Sequence, residues 1–322
     1  MGKLSLKNKS WKKIISNNKP VIVLLVLLIA MSLLRDRFLT WSNIISVLRQ
    51  TSINAVIATG MTFAILIGGI DLSVGSVLAI SGAIAATLVA SGMNIFLVIL
   101  ITLLIGLTIG LLNGFLISKG RLQPFIATLG TMTLLRGLTL VYTQGRPISI
   151  FGSDTSTIFS KIGTGYFLKI PIPVYIMLVV FFIAWYTLNH LKIGRYTYAL
   201  GSNEEATMYS GIKTDNIKLF VYAVSGVLAA IAGIIVTARL GSAQPTAGAG
   251  YELDAIAAVV IGGTSMAGGI GTIFGTAIGA LIIGILNNAL NMLQVSSYYQ
   301  DVAKGIVILI AVLLDRKQRK SR

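Results

Sequence analysis

Ten apolar runs, most of them close to twenty residues long, limit what this chain can become. They fall at about 20–34, 51–69, 72–90, 94–117, 123–142, 172–190, 217–238, 252–267, 272–292 and 301–314, the first, eighth and tenth being short. A hydrocarbon core roughly 30 Å thick is crossed by about 20 apolar residues in a helix. Lipid offers no partner to an unpaired backbone amide, so runs of this kind have to be helical. Only 11% of the 322 residues are charged, against about 25% in soluble domains, and mean hydropathy is +0.87. That leaves too little polar surface to coat a water-soluble particle. The expected fold is all-α: a polytopic membrane helix bundle of ten spans over residues 20–315, between a basic segment at 1–19 and a basic tail at 316–322.

Charge placement gives the expected orientation. With ten spans both termini share a side. The N-terminal segment, the "SKGRLQ" turn, the 190–216 loop with Lys218, and the tail together hold seventeen of the 26 lysines and arginines. The positive-inside tendency makes that side cytoplasmic, in a bacterial inner or plasma membrane. The net charge of +16 then reads as basic termini beside anionic headgroups, with no call for nucleic acid. The first apolar run is followed by "RDR", without a small-residue cleavage pattern, so no signal peptide is expected. On the other side, residues 143–171 read as an ordered surface loop or docking lip, rich in Ser, Thr, Gly and Pro.

Chemistry-bearing motifs are sparse. There is no cysteine and one histidine, His190, which leaves no disulfide framework, no thiolate chemistry and no histidine cluster for a metal. No GxxxxGK[ST] phosphate loop, HExxH or nucleophile elbow is present. The expectation is a chain that is not an enzyme and carries no catalytic, cofactor-binding or metal site.

Glycines and polar residues inside the runs are more informative. "GLTIGLLNG" and "GTAIGALIIG" have small-xxx-small spacing and predict close helix contacts. "GGIDLSVGS" at 68–76 and "GGIGTIFGT" at 268–276 match at an offset of 200 residues, as in transporters with internal duplication. Counting spans puts both copies on the cytoplasmic side; an inverted repeat would instead make one of them a break within the membrane. Asp71 has two open readings: a cap for the helix beginning at Leu72, or a polar gate or substrate contact, with Ser73 and Ser76 extending the strip. Arg136 lies about 9 Å inside its span and either snorkels or lines a passage. Gln50 and Asn54, beside Thr51, share one helical face; so do Asn287 and Asn291, beside Asn288. Such amides bond between helices, or face a hydroxyl-rich solute. The candidate passage set is Gln50, Asn54, Asp71, Ser73, Arg136, Asn287 and Asn291. Glu252 and Asp254 are expected at a solvated outer mouth.

One hydrophilic island interrupts the chain: "GSNEEATMYSGIK", 201–213. Asn203 suits an N-cap, Glu204 and Glu205 the first turn and its dipole, and Gly211 the residue past the end. A short helix here would offer a rigid knob to a soluble partner. "EATMYSG" resembles the EAAxxxG motif of importer permeases, with Thr207 at its third position and the later proline-containing part missing. Five further stretches widen the likeness: "GMTFAILIGGIDLSVGSVLA", "KGRLQPFIATLGTMTLLRGLTLVYTQG", "GRYTYALGSNEEATMYSGI", "ARLGSAQPTAGAGYELDAIAAVVIGGTSMAGGIGTIFGTAIGALIIGILNN" and "VSSYYQDVAKGIVILIAVLLD". Over about 20–315 the chain resembles the sugar permease subunits of bacterial ATP-binding-cassette importers, and most closely those that carry ribose.

That resemblance implies import of a monosaccharide, a second copy of the chain, and an ABC ATPase that binds ATP and Mg. It also implies an extracytoplasmic sugar-binding protein. Asn203, Glu204, Glu205, Ala206 and Gly211 would form the helix docked on the ATPase. An ion-coupled secondary transporter of a small polar solute is the competing class. It needs titratable groups near the membrane centre, for which Asp71 is the modest candidate.

Overall fold

A computed structural model describes residues 19–296, 298–306, 309 and 313. The expected basic segment 1–19, apart from Lys19, and the tail 316–322 lie outside the described residues. So does part of the tenth run.

Helices dominate, as the apolar runs require. The membrane-length elements are α1 (Lys19–Leu34), α2 (Trp41–Leu66), α3 (Val74–Ala90), α4 (Ile95–Ser118), α5 (Pro124–Thr143) and α7 (Ile172–His190), then α10 (Thr214–Leu240) and α12 (Ile273–Met292). Four short helices intervene: α6 (Asp154–Thr164), α8 (Lys192–Ser202), α9 (Glu204–Tyr209) and α11 (Tyr251–Ile261). Residues 298–306 are helical as well. Among the described residues, α4, α5, α7, α10 and α12 are each long and apolar enough to cross a membrane unaided. α2 has the length, but its polar residues lower its hydropathy. Thr51 and Ser52 are turned inward and buried.

α10 is the axle of the bundle. Val221, Tyr222, Ala229, Ala230, Ala232 and Ile235 are wholly buried on it. The glycine stripe of α4 lies flat against it: a Cβ on Gly110 would sit 2.9 Å from Ala223 Cα, and one on Gly226 would sit 2.9 Å from Gly110 Cα. Backbones this close allow dispersion contacts that a larger residue would prevent. The stripe on α12 does the same against α11, where a Cβ on Gly279 would sit 3.0 Å from Gly262 N.

Three departures from the expected spans matter. The second span starts ten residues early, at Trp41, because its polar residues face protein partners: Asn43 and Asn288 exchange reciprocal amide bonds of 3.1 and 2.9 Å. The eighth span stops at Ile261, at the "GG" pair. Eleven residues give about 16 Å, roughly half a membrane. The expected docking-lip segment 143–171 is largely structured. It holds α6 and two antiparallel pairings, strand β1 (Ile148–Ser149) with β4 (Ser242–Ala243) and β2 (Tyr166–Phe167) with β3 (Ile170–Pro171). We call this the α6 end, and the opposite one the α9 end.

Candidate functional site

Two irregular segments flank the half-length helix α11, and together they make the site. Residues 241–250 turn back from the end of α10 into the bundle. Arg136, about 18 Å along α5, donates to the carbonyls of Pro245 and Ala247 at 3.0 and 2.9 Å. Gly248, at φ +72°, lies against Gly75 with no room for a side chain. Non-helical backbone at this depth is tolerated where protein satisfies its polar groups, and Arg136 does so here. Its guanidinium is engaged by the loop. Beyond α11, residues 262–272 form the second break. Gly269 N donates to Leu66 O at 2.9 Å, and a Cβ on Gly268 would sit 2.9 Å from Gly68 N, so the two copies of the GGI repeat lie against one another.

The start of α11 faces a small polar chamber. Gln50, Thr51 and Asn54 of α2, Tyr251 and Asp254 of α11, and Asn287 of α12 line it, with Ala280 and Gly284. Its volume, about 30 Å³, matches one water molecule. Three buried oxygens around it lack hydrogen-bond partners: Thr51 Oγ1, Asn54 Oδ1 and Asn287 Oδ1. Buried polar atoms are nearly always paired, so three orphans at one cavity call for a polar guest, for which a water molecule suffices.

Asp254 was expected at a solvated mouth, yet it is 5% exposed. The half-helix begins inside the bundle, which carries its first turn away from water. Asp254 Oδ1 lies 3.3 Å from Lys304 Nζ in the last helical stretch. Asn287 Nδ2 donates weakly to Oδ2, at 3.4 Å. Lys304 was not singled out by its sequence, although an intramembrane lysine in "DVAK" is itself a signal. Glu252 accepts from Gly250 N at 3.1 Å, closing the turn into α11.

The remaining candidates separate from this chamber. Asp71 precedes the cap residue of α3, which is Ser73. Its Oδ1 accepts from Ser73 N at 3.0 Å and Ser73 Oγ at 2.6 Å, and its Oδ2 accepts from Ser225 Oγ at 2.6 Å. Asn113 donates to Ser73 Oγ, and Thr131 to Asn113 Oδ1. Each donor points along the chain towards the carboxylate, tying α3, α4, α5 and α10 together. Ser76 bonds Met132 O at 2.9 Å. Asn291 accepts from Gln300 Nε2, also at 2.9 Å.

At the α9 end the hydrophilic island forms α9. Asn203 Oδ1 accepts from Ala206 N at 2.9 Å, and Gly211 takes φ +80° past the end. Glu204 pairs with Lys218 of α10 at 2.5 Å. A cleft of about 860 Å³ separates α9 from the α4–α5 turn, with Gly69, Lys119, Arg121, Glu205 and Met208 on its walls. The preceding helix α8, read as loop from the sequence, is amphipathic and connects this end to the end of α2 and to the 262–272 break. Its Gly201 leaves no room for a Cβ between Leu66 O and Gly269 N. Tyr198 donates to Gly271 O at 2.8 Å. Burial pushes the Tyr198 phenol above its ordinary pKa, which keeps it a neutral donor.

The ribose import permease protein RbsC of Haemophilus influenzae is 60% identical over 294 residues, 91% of each chain. RbsC of Bacillus subtilis is 58% identical over 299 residues, 93% of this chain and 92% of its own. The D-allose transport system permease protein AlsC of Escherichia coli is 45% identical over 296 residues, 92% of this chain and 90% of its own. No solved structure matches. A family described as "branched-chain amino acid transport system / permease component" matches residues 43–312, four-fifths of a bundle with re-entrant breaks and a polar chamber, so the chain belongs to that family of membrane transport permeases.

Proposed function

We propose that this chain forms the membrane passage of an ATP-driven importer that takes a monosaccharide, ribose, into the cytoplasm. The relatives named as ribose import permeases, 53–60% identical over more than nine-tenths of the chain, support the substrate. The chamber carries the reading from the structure: three unpaired buried oxygens and a carboxylate on three helices suit a ligand rich in hydroxyl groups. A pentose does not fit in about 30 Å³, so on this reading the chamber widens to pass it. Gln50, Asn54 and Asn287 are its first contacts. Asp71, Ser73, Arg136 and Asn291 act at one remove, holding the helices and the re-entrant loop that enclose it.

The α9 end faces the cytoplasm in this reading, as do both termini. An ABC ATPase grips α9 through Asn203, Glu204, Glu205, Ala206 and Gly211, and binds ATP and Mg itself. A second copy of the chain completes the passage, with residues 20–315 as its permease domain. A sugar-binding protein delivers ribose at the α6 end. Motion of α9 passes through α8 to the breaks at Leu66 and Gly269. Moving a two-state bundle from 1:99 to 99:1 takes about 5.5 kcal/mol of differential stabilisation.

Uptake of labelled ribose into vesicles holding the chain, its ATPase and its binding protein tests this. Uptake should require ATP inside and survive a protonophore. Uptake that a protonophore abolishes and that ignores ATP would refute it.

A further inference from the structure

At the α6 end, the first turns of α2 and the β2–β3 hairpin enclose a second cleft, of about 530 Å³. Trp41, Ser42, Ser46, Arg49, Tyr166 and Lys169 line it, with no acidic side chain among its walls. Neither Arg49 nor Lys169 has an ion-pair partner among the described residues. Arg49 bonds the Tyr166 hydroxyl and lies 4.9 Å from the centre of that ring. Its Nε is buried with no hydrogen-bond partner. The cleft is therefore cationic.

Its position in the bilayer follows from length. α2 has 26 residues, about 39 Å, against a hydrocarbon core of roughly 30 Å. With that excess at the polar N-terminal end, Arg49 lies close to the border of the headgroup layer. The hairpin beside it turns through Leu168 and Lys169, both at positive φ. It shows Tyr166, Phe167 and Leu168 at 56, 61 and 77% exposure, and Trp41 is 60% exposed. Aromatic and apolar groups ringing a polar cleft at this level suit the boundary between headgroups and acyl chains.

We propose that this cleft binds the phosphate headgroup of an anionic phospholipid. Arg49 and Lys169 meet the phosphate, the hydroxyls of Ser42 and Ser46 donate to its other oxygens, and Trp41 and Phe167 flank the glycerol and upper acyl chains. Gln50 and Thr51 follow Arg49 directly in sequence, so the lipid fixes the height of the helix that walls the chamber. The binding site itself does not depend on which solute is carried.

The full chain in nanodiscs of phosphatidylcholine with a minor fraction of phosphatidylglycerol, followed by detergent release and native mass spectrometry, tests the proposal. Wild type should retain phosphatidylglycerol in preference to phosphatidylcholine. Near a membrane surface each basic residue is worth about fivefold. Lys169→Gln, on an exposed turn where folding is not at stake, should lose about fivefold of that retention. Arg49→Gln with Lys169→Gln should lose roughly thirtyfold. Equal retention of the two lipids, or retention unchanged in both variants, overturns the proposal. Two other outcomes also overturn it. One is displacement of the bound lipid by millimolar inorganic phosphate, which would make this a free-anion site. The other is Phe167 crosslinking to a sugar-binding protein in a chain that retains no phosphatidylglycerol.

Discussion

Asp254 and Lys304 place opposite charges inside the bundle, where an unpaired charge is expensive. The carboxylate is 8% and the lysine 24% exposed at the side chain, so solvent screens the pair only in part. Removing one partner of a buried pair costs about 3 kcal/mol or more, while removing both costs far less. Thermal unfolding in detergent should therefore show Lys304→Met and Asp254→Asn each strongly destabilised, with the double variant recovering much of the loss. Additive losses would mean that the two charges do not meet. Helical spacing singles out Gln50 with Asn54 and Asn287 with Asn291 in the sequence; Gln50, Asn54 and Asn287 line the chamber, and Asn291 does not. Sequence reading missed the ion pair because the partners are fifty residues apart and no periodicity links them. It also could not separate Asn287, which faces the chamber, from Asn291, which bonds Gln300, since residues four apart share a helical face.

Among the elements, α8 and α9 form an arm whose far end touches both repeat breaks. Gly201 is its tightest point, where any side chain meets Leu66 O and Gly269 N. Gly201→Ala should still insert and fold, because α8 lies outside the spans, but it should displace the arm from the breaks. Allosteric coupling spans about 5- to 150-fold; we expect ribose imported per ATP hydrolysed to fall at least about fivefold. Unchanged stoichiometry would remove α8 from the transmission route. Gly211→Ala forces a side chain into φ +80°, costing about 1 kcal/mol, and should loosen α9 on a local protease or exchange assay without unfolding the bundle. Most of this architecture was legible. Apolar run length located α3, α4, α5, α7, α10 and α12 within a few residues, and cap chemistry located α9 from Asn203 and Gly211. α11 read as a short run but not as a half-length one, because "VIGGTSMAGGIG" stays apolar enough to read as continued span. α8 was not legible: "KIGRYTYALGS" is amphipathic and has no apolar run.

For the whole molecule, the chamber is small, the arm is docked against the end of α2 and the 262–272 break, and the Asp71 network ties four helices together. Such a bundle does not yield gradually; packed interfaces switch between discrete arrangements. Our central claim is that the chamber between α2, α11 and α12 opens when the arm at the α9 end is moved by an ATP-driven partner. The chain contains no cysteine, so Asn54→Cys gives a single thiol on the chamber wall without further changes. The decisive measurement is the rate at which a membrane-impermeant thiol reagent modifies that cysteine in the assembled importer, with and without trapped nucleotide. A population shift from 1:99 to 99:1 predicts a change of about a hundredfold between the two conditions, with protection by ribose in the open one. The same rate in both, in an importer that transports normally, would contradict the account.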